Sequence, residues 1–333
     1  MRAYLIRRLI FACVLVFLSS VISFTILKAS PGSAGGQQFT DPRLSREYIE
    51  AQKRLFGLDR HPVRQYLDWL GVTHLFDREQ TSGLLQGNLG LSIMYKQPVA
   101  GVIPSRLKAT LVLNLITLVF TWVIALPLGI WAAVKQYKLP DKVLSVFSFA
   151  GMSAPGFFMA LMLLWIFASH FRLLPPGGLR SIDHDQMSGW QQLGDYASHL
   201  IVPVVVLTFG ALASLQRIMR GNMLEVLREQ YVTTARAKGL PENRVIYKHA
   251  LRNAINPLVT LLGFEFAALF GGAALLESVI NFPGMGQLLL EALLAKDQTL
   301  VMATFLIGSV MLVAGNLIAE MLLAWVDPRV SYD

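Results

Sequence analysis

Six apolar runs, at 9–27, 110–134, 143–168, 200–219, 258–277 and 300–325, decide what this chain can become. At about 1.5 Å per residue, each is long enough as a helix to cross a hydrocarbon core of about 30 Å. Lipid offers backbone groups no hydrogen-bond partners, so runs of this kind satisfy their own N–H and C=O groups as helices. The expectation is an all-α membrane protein of about six transmembrane helices. Charged residues make up 15% of the chain, against about 25% in soluble domains, and the deficit falls in these runs. A net charge of +8 could point to nucleic acid, but the basic residues cluster beside the spans on one side. A lone cysteine, Cys13, forms no internal disulfide and belongs to no metal-ligand spacing.

The connections set the orientation. Arg2, Arg7 and Arg8 precede the first run, and Lys135, Lys138 and Lys142 follow the second. Arg217, Arg220, Arg228, Arg236, Lys238, Arg244, Lys248 and Arg252 fill the fourth connection, against Glu225, Glu229 and Glu242. The third has Arg172 and Arg180 against Asp183, Asp185 and Asp195, and the fifth is near neutral with Glu291, Lys296 and Asp297. Basic and non-basic connections alternate, so the positive-inside rule puts both termini in the cytoplasm. The organisation expected is an N-terminal transmembrane helix at 1–27 and an external region at 28–109. A five-helix core at 110–333 follows, with a cytoplasmic loop at 220–257. The first run, about 19 residues, exceeds the apolar stretch of a cleaved signal peptide and reads as a retained span. In the external region, Asp41 with Pro42 can open a helix that Gly57 ends, and Pro62 can open a second. Internal repeats and low-complexity tracts are absent.

Within the basic loop, the stretch 229–238 has good helix formers and no proline. Gly239 suits a helix C-terminus because it adopts a left-handed conformation freely, and Pro241 starts a new direction. A short helix, a sharp turn and a second helix returning to the membrane are predicted. Ala235, Ala237 and Gly239 are small, so a partner could approach closely, while Arg236 and Lys238 offer donors. Arg244, Lys248 and Arg252 recur every four residues as a basic stripe suited to anionic headgroups, or simply to fixing topology.

This loop resembles the EAA loop of binding-protein-dependent ABC importer permeases, in which Glu-Ala-Ala is followed by three residues and Gly. Here Thr233-Thr234-Ala235 and Gly239 occupy those places. The wording Tyr231-Val232-Thr233-Thr234-Ala235-Arg236-Ala237-Lys238-Gly239-Leu240 is similar to the dipeptide, oligopeptide and nickel branch, as is Lys248-His249-Ala250-Leu251-Arg252-Asn253-Ala254. So are Gly87-Asn88-Leu89-Gly90-Leu91-Ser92 with Pro98-Val99, and Glu277-Ser278-Val279 with Phe282-Pro283-Gly284-Met285-Gly286. One departure is Pro31-Gly32-Ser33-Ala34, where relatives often have Pro-Gly-Asp-Pro. The resemblance implies the type I importer architecture in a bacterial cytoplasmic membrane. It also implies a second homologous permease subunit, a heterodimer being usual, two ABC ATPase subunits and an external substrate-binding protein. The solute implied is a di- or oligopeptide, with nickel or another small solute as the alternative. Residues 233–240, Thr233, Thr234, Ala235, Arg236, Ala237, Lys238, Gly239 and Leu240, would couple to the ATPases. The chain has no Gly-x-x-x-x-Gly-Lys-Ser/Thr motif, so ATP and Mg belong to those partners and this subunit is non-catalytic.

Polar residues inside the runs are candidates for a substrate pathway. Glu265 either lines such a path for a cationic or amine-bearing substrate, or pairs with a neighbouring helix or stays protonated. Glu277 and Asn114 are further candidates, though Asn114 equally suits a helix–helix hydrogen bond. Glu320, near the end of the last run, is expected to reach for water, and His199 to sit at an interface. Pro283, Gly284 and Gly286 form either a gate at an external turn or a plain connection. Pro127, Pro155 and Pro203 can kink their spans. A transporter or channel without an ATPase would often show inverted repeats, and none is found. A membrane enzyme lacks support in any catalytic spacing.

The topology makes a prediction. With Cys13→Ser as background, Lys238→Cys is expected to react with a membrane-impermeant maleimide only in inverted vesicles; reaction in intact cells would reverse the orientation.

Overall fold

A computed structural model describes residues 2–29, 45–76, 83–269 and 271–326, and these are helical apart from loops and one isolated bridge between Leu91 and Pro98. The first helix, α1, is Arg2–Ala29. Three short helices follow: α2 Arg46–Leu55, α3 Pro62–Leu70 and α4 Val72–Phe76. Next come α5 Val99–Val134, α6 Leu139–Ser153 and α7 Gly156–Leu163, the last continued by a π-helical segment Leu164–His170. Then α8 is Gly189–Val226 and α9 is Gln230–Ala237. The returning arm is α10 Glu242–Arg244, a π-helical segment Val245–Ala250 and α11 Leu251–Ala254. It runs into α12 Asn256–Ala268, and α13 Ala274–Val279, α14 Met285–Ala295 and α15 Gln298–Val326 complete the chain.

Helices α1, α5, α8 and α15 are each long and apolar enough to cross a membrane. The third expected run is bent by 101° between α6 and α7. Pro155 explains the bend: it lacks an N–H and disfavours helical geometry at Ala154, which sits at φ −84°, ψ 123°. Pro127 and Pro203, by contrast, lie inside α5 and α8, which stay single helices. The fifth run, expected as one helix over 258–277, is instead broken between Ala268 and Ala274. At about 1.5 Å per residue, the 13 residues of α12 reach about 20 Å. All six runs are therefore present, two of them interrupted.

The external helices follow local chemistry. Asp41 and Pro42 lie outside the described residues, and α2 begins at Arg46 with Ser45 as its cap, the Ser45 hydroxyl accepting from Tyr48 N–H at 3.2 Å. Gly57, at φ +63°, follows the helix end, and Pro62 opens α3, as expected.

Inside lipid, water no longer drives apolar surfaces together, so close packing and interhelical hydrogen bonds carry association. Helices α5 and α8 pack along their length and form the centre of the fold. Gly129 on α5 makes this possible: a Cβ there would lie 2.6 Å from Met219 Cβ and 2.9 Å from the Gln216 carbonyl. Helix α6 is pinned to α8 at two points. Ser148 donates to Gln216 Oε1 at 2.8 Å, and Arg220 grips Asp141 through two bonds of 2.6 and 2.8 Å. Glu320, expected to reach for water, pairs with Arg8 of α1. His199 is buried rather than interfacial; its Nδ1 lies 2.9 Å from the Asp195 carbonyl.

Asp141 is buried, so removing it leaves the Arg220 guanidinium without a bidentate partner. Asp141→Ala is expected to destabilise the protein by about 3 kcal/mol, read as a lower unfolding midpoint in detergent. An unchanged midpoint would show that the pair does not hold α6 to α8.

Candidate functional site

The loop after α8 is built as predicted, a short helix and a turn. Helix α9 buries Val232 and Ala235 and exposes Tyr231, Thr233, Thr234, Arg236, Ala237 and Lys238. The two buried residues join Met219 and Met223 of α8, Val245, Ile246 and Ala250 of the returning arm, and Ala254 and Leu258 in one apolar cluster. An eight-residue helix is marginal alone, so this anchoring is what holds it. Tyr231 Oη accepts from Asn253 Nδ2 at 2.7 Å, tying the far face of α9 to α11. Arg236 pairs with Glu242 across the turn at 2.8 Å, which fixes the two arms at an exposed site. Gly239 has φ +75°, and its N–H bonds to the Arg236 carbonyl at 2.9 Å. A Cβ at Gly239 would meet nothing within 4 Å, so its surface is open. Leu240 is half-buried and packs on the same cluster. Arg244, Lys248 and Arg252 are all exposed along the arm.

Where the fifth run breaks, side chains replace the missing helical partners. Asn114 on α5 donates through Nδ2 to the Leu269 carbonyl at 2.7 Å and the Gly271 carbonyl at 2.8 Å. Glu277 is 1% exposed; its oxygens accept from Ala273 N–H at 3.2 Å and Gln287 N–H at 2.7 Å. Glu277 thus holds the turn of Pro283, Gly284 and Gly286 against the break and faces no open path. Gly284 and Gly286 let the backbone approach this carboxylate: a Cβ on Gly284 would stand 2.6 Å from Glu277 Oε1. Thr110 of α5 accepts from Met285 N–H at 2.8 Å, and Phe282 is fully buried. The turn is a packed element folded back on α5, not a loose connection.

Glu265 of α12 lines a cavity of about 260 Å³ between α5, α8 and α12, and Asn114 lies on its wall. The sequence reading missed three further polar residues that line it: Thr117 and Thr121 of α5 and Ser214 of α8. Their signal was faint: Asn114, Thr117 and Thr121 recur at helical spacing on a run that is otherwise apolar.

A second latch also escaped the sequence reading. Asp297 caps α15 by accepting from Leu300 N–H at 3.0 Å. Its other oxygen accepts from the Ser92 hydroxyl at 2.6 Å and from Met94 N–H at 3.0 Å. Gly90, at φ +88°, lies so close to Thr299 that a Cβ would clash. Tyr95 donates to Glu291 at 3.0 Å, and burial pushes its phenol pKa up, so it remains a donor.

Residues 125–332 match the family model described as binding-protein-dependent transport system inner membrane component. Residues 1–114 match the model for the N-terminal part of such membrane components. The oligopeptide transport system permease protein AppB of Bacillus subtilis (strain 168) is 35% identical over 333 residues, covering 100% of both chains. The glutathione transport system permease protein GsiC of Escherichia coli (strain K12) is 31% identical over 329 residues, covering 99% of each. A solved chain of the MetNI methionine ABC transporter in an inward facing conformation is 18% identical, with a TM-score of 0.48, over 67% of this chain and 97% of that one.

The packing of the turn can be tested. Gly284→Ala is expected to push a methyl group into the Glu277 carboxylate and to lower stability by about 1–3 kcal/mol. A melting midpoint equal to wild type would show that the turn does not rest on Glu277.

Proposed function

Because the chain belongs to the family of binding-protein-dependent transport system inner membrane components, we propose that it carries short peptides across a bacterial cytoplasmic membrane, pushed by separate ATPases. As a member, it is a multi-pass, non-catalytic membrane subunit of an ABC importer that works with an ATPase and a binding protein. The peptide reading is supported by full-length relatives that are oligopeptide and glutathione permeases. A heterodimer with a second, homologous permease completes the proposed assembly.

The coupling role of 233–240 is supported by the geometry of α9. Its outer face is exposed and polar, and its inner face is fused to α8 and the returning arm. A push on Thr233, Thr234, Arg236 or Lys238 reaches Ala250, Ala254 and Leu258 through direct packing. From Leu258, α12 runs about 10 Å to Glu265 at about 1.5 Å per residue. Work done at the coupling helix therefore arrives at the polar cavity through one rigid path. ATP, held with Mg on the partner ATPases, would supply the energy through its binding and hydrolysis. The pathway runs past Glu265, with Asn114 and Glu277 holding its broken wall in shape and the 283–286 turn closing it on the far side. Binding of ATP shifts access only to the extent that the closed ATPase pair favours one position of α9 over the other.

The single observation that carries this reading is α9 itself, an exposed helix locked to the membrane core. Gly239→Val keeps the surroundings free of clashes but opposes the left-handed backbone, at a cost of about 1–2 kcal/mol. It is expected to leave membrane insertion intact while uptake falls and ATP hydrolysis continues uncoupled. Normal uptake in reconstituted vesicles would remove the coupling role.

A further inference from the structure

We propose that the cavity between α5, α8 and α12 docks the protonated amine of the transported peptide, with Glu265 as counter-charge and the hydroxyls of Thr117, Thr121 and Ser214 as acceptors. This rests on the peptide reading above and names the group recognised.

Thr117 is 9% exposed and Thr121 is 4% exposed, yet neither Oγ1 has a hydrogen-bond partner among the described residues. A threonine in a helix ordinarily bonds back to the carbonyl four residues earlier. Other threonines in this chain do so: Thr304 to Leu300 at 2.7 Å, Thr25 to Val21 at 2.8 Å and Thr234 to Gln230 at 2.8 Å. Thr117 and Thr121 forgo that bond, and both line the same cavity as Glu265. Thr208 of α8 is unpartnered too but lies outside this cavity, whereas Thr117 and Thr121 bring two unpaired hydroxyls to one space beside Glu265, where an entering donor can satisfy both.

The chemistry of the cavity selects its guest. Glu265 is the only ionisable group on its described wall, with no Lys or Arg to balance it. The Asn114 amide nitrogen is already spent on the Leu269 and Gly271 carbonyls. What remains is a carboxylate and hydroxyl oxygens, which suit a group carrying several N–H donors and a positive charge. An ammonium has three such donors. Trp122 lines the same wall and offers a ring, a further surface that favours a cation. A carboxylate guest would meet Glu265 head on. The volume, about 260 Å³, lies just below the range of pockets that enclose a whole small ligand, so it takes the amine end of a peptide and leaves the remainder outside. The cavity thus reads the feature all unmodified short peptides share and ignores the side chains in which they differ.

The test uses the assembled transporter in proteoliposomes, with this chain, its partner permease, the ATPases and the binding protein, and Ala-Ala-Ala as the probe. Glu265→Gln keeps the shape and removes the charge; initial uptake is expected to fall at least about tenfold, with a normal yield of assembled complex. Glu265→Asp is expected to recover a substantial part of that loss. Thr117→Val combined with Thr121→Val is expected to lower uptake about three- to tenfold. Uptake by Glu265→Gln within about twofold of wild type overturns the site. So does an equal loss in the Gln and Asp variants together with a poor yield of complex, which marks a packing role. A wild-type transporter that ignores Ala-Ala-Ala overturns the peptide reading and this inference with it, whereas undiminished uptake by Glu265→Gln overturns the inference alone.

Discussion

A helix that stops inside a bilayer leaves amides and carbonyls with nothing to bond, and this molecule is organised around supplying them. Helix α12 ends at Ala268, and the chain resumes as α13 at Ala274. Asn114, from α5, covers two of the exposed carbonyls, and Glu277 collects the amides of Ala273, just before α13, and of Gln287 in α14. Both residues sit at positions where a charge or an amide in lipid would otherwise be costly. The glycines around them serve the same end, since Gly272, Gly284 and Gly286 all lie where a side chain would displace backbone or carboxylate. With the break secured, the cavity beside Glu265 has a defined wall, and α12 can pass motion from the cytoplasmic arm without unravelling.

The parts of this architecture that were legible in the sequence are those written locally. Long uncharged runs announce membrane helices, and alternating basic connections orient them. The α9 turn was readable because Gly239 and Pro241 punctuate it within a few residues. The break in the fifth run was not, because Gly271 and Gly272 sit in an apolar stretch whose hydropathy does not dip, and glycine is common in membrane helices. Glu277 was singled out as an ionisable group in a span; its burial among amides of the turn depends on backbone that only the folded chain brings together. Thr117 and Thr121 were passed over because a membrane threonine usually satisfies itself on its own helix. The Ser92–Asp297 latch joins residues 205 positions apart, and no local pattern signals such a pair.

On the reading proposed above, α9 and the cavity are two ends of one mechanical element. The cluster that grips Val232 and Ala235 also contains Leu258, and α12 carries Glu265 about two turns further on. Packed interiors switch between discrete arrangements instead of deforming smoothly. Under that proposal, a displacement at α9 would reach the cavity wall as a shift of whole helices.

The latch at Asp297 has a consequence for how the protein is made. The loop at 83–98 emerges from the ribosome long before α15, yet its serine, its Met94 amide and its tight glycine all close on residues at or next to the start of that last helix. Contacts so remote in sequence form late, because the entropy of closing the intervening chain comes first. The loop at 83–98 thus waits, made but unfastened, until the start of α15 has been threaded into place.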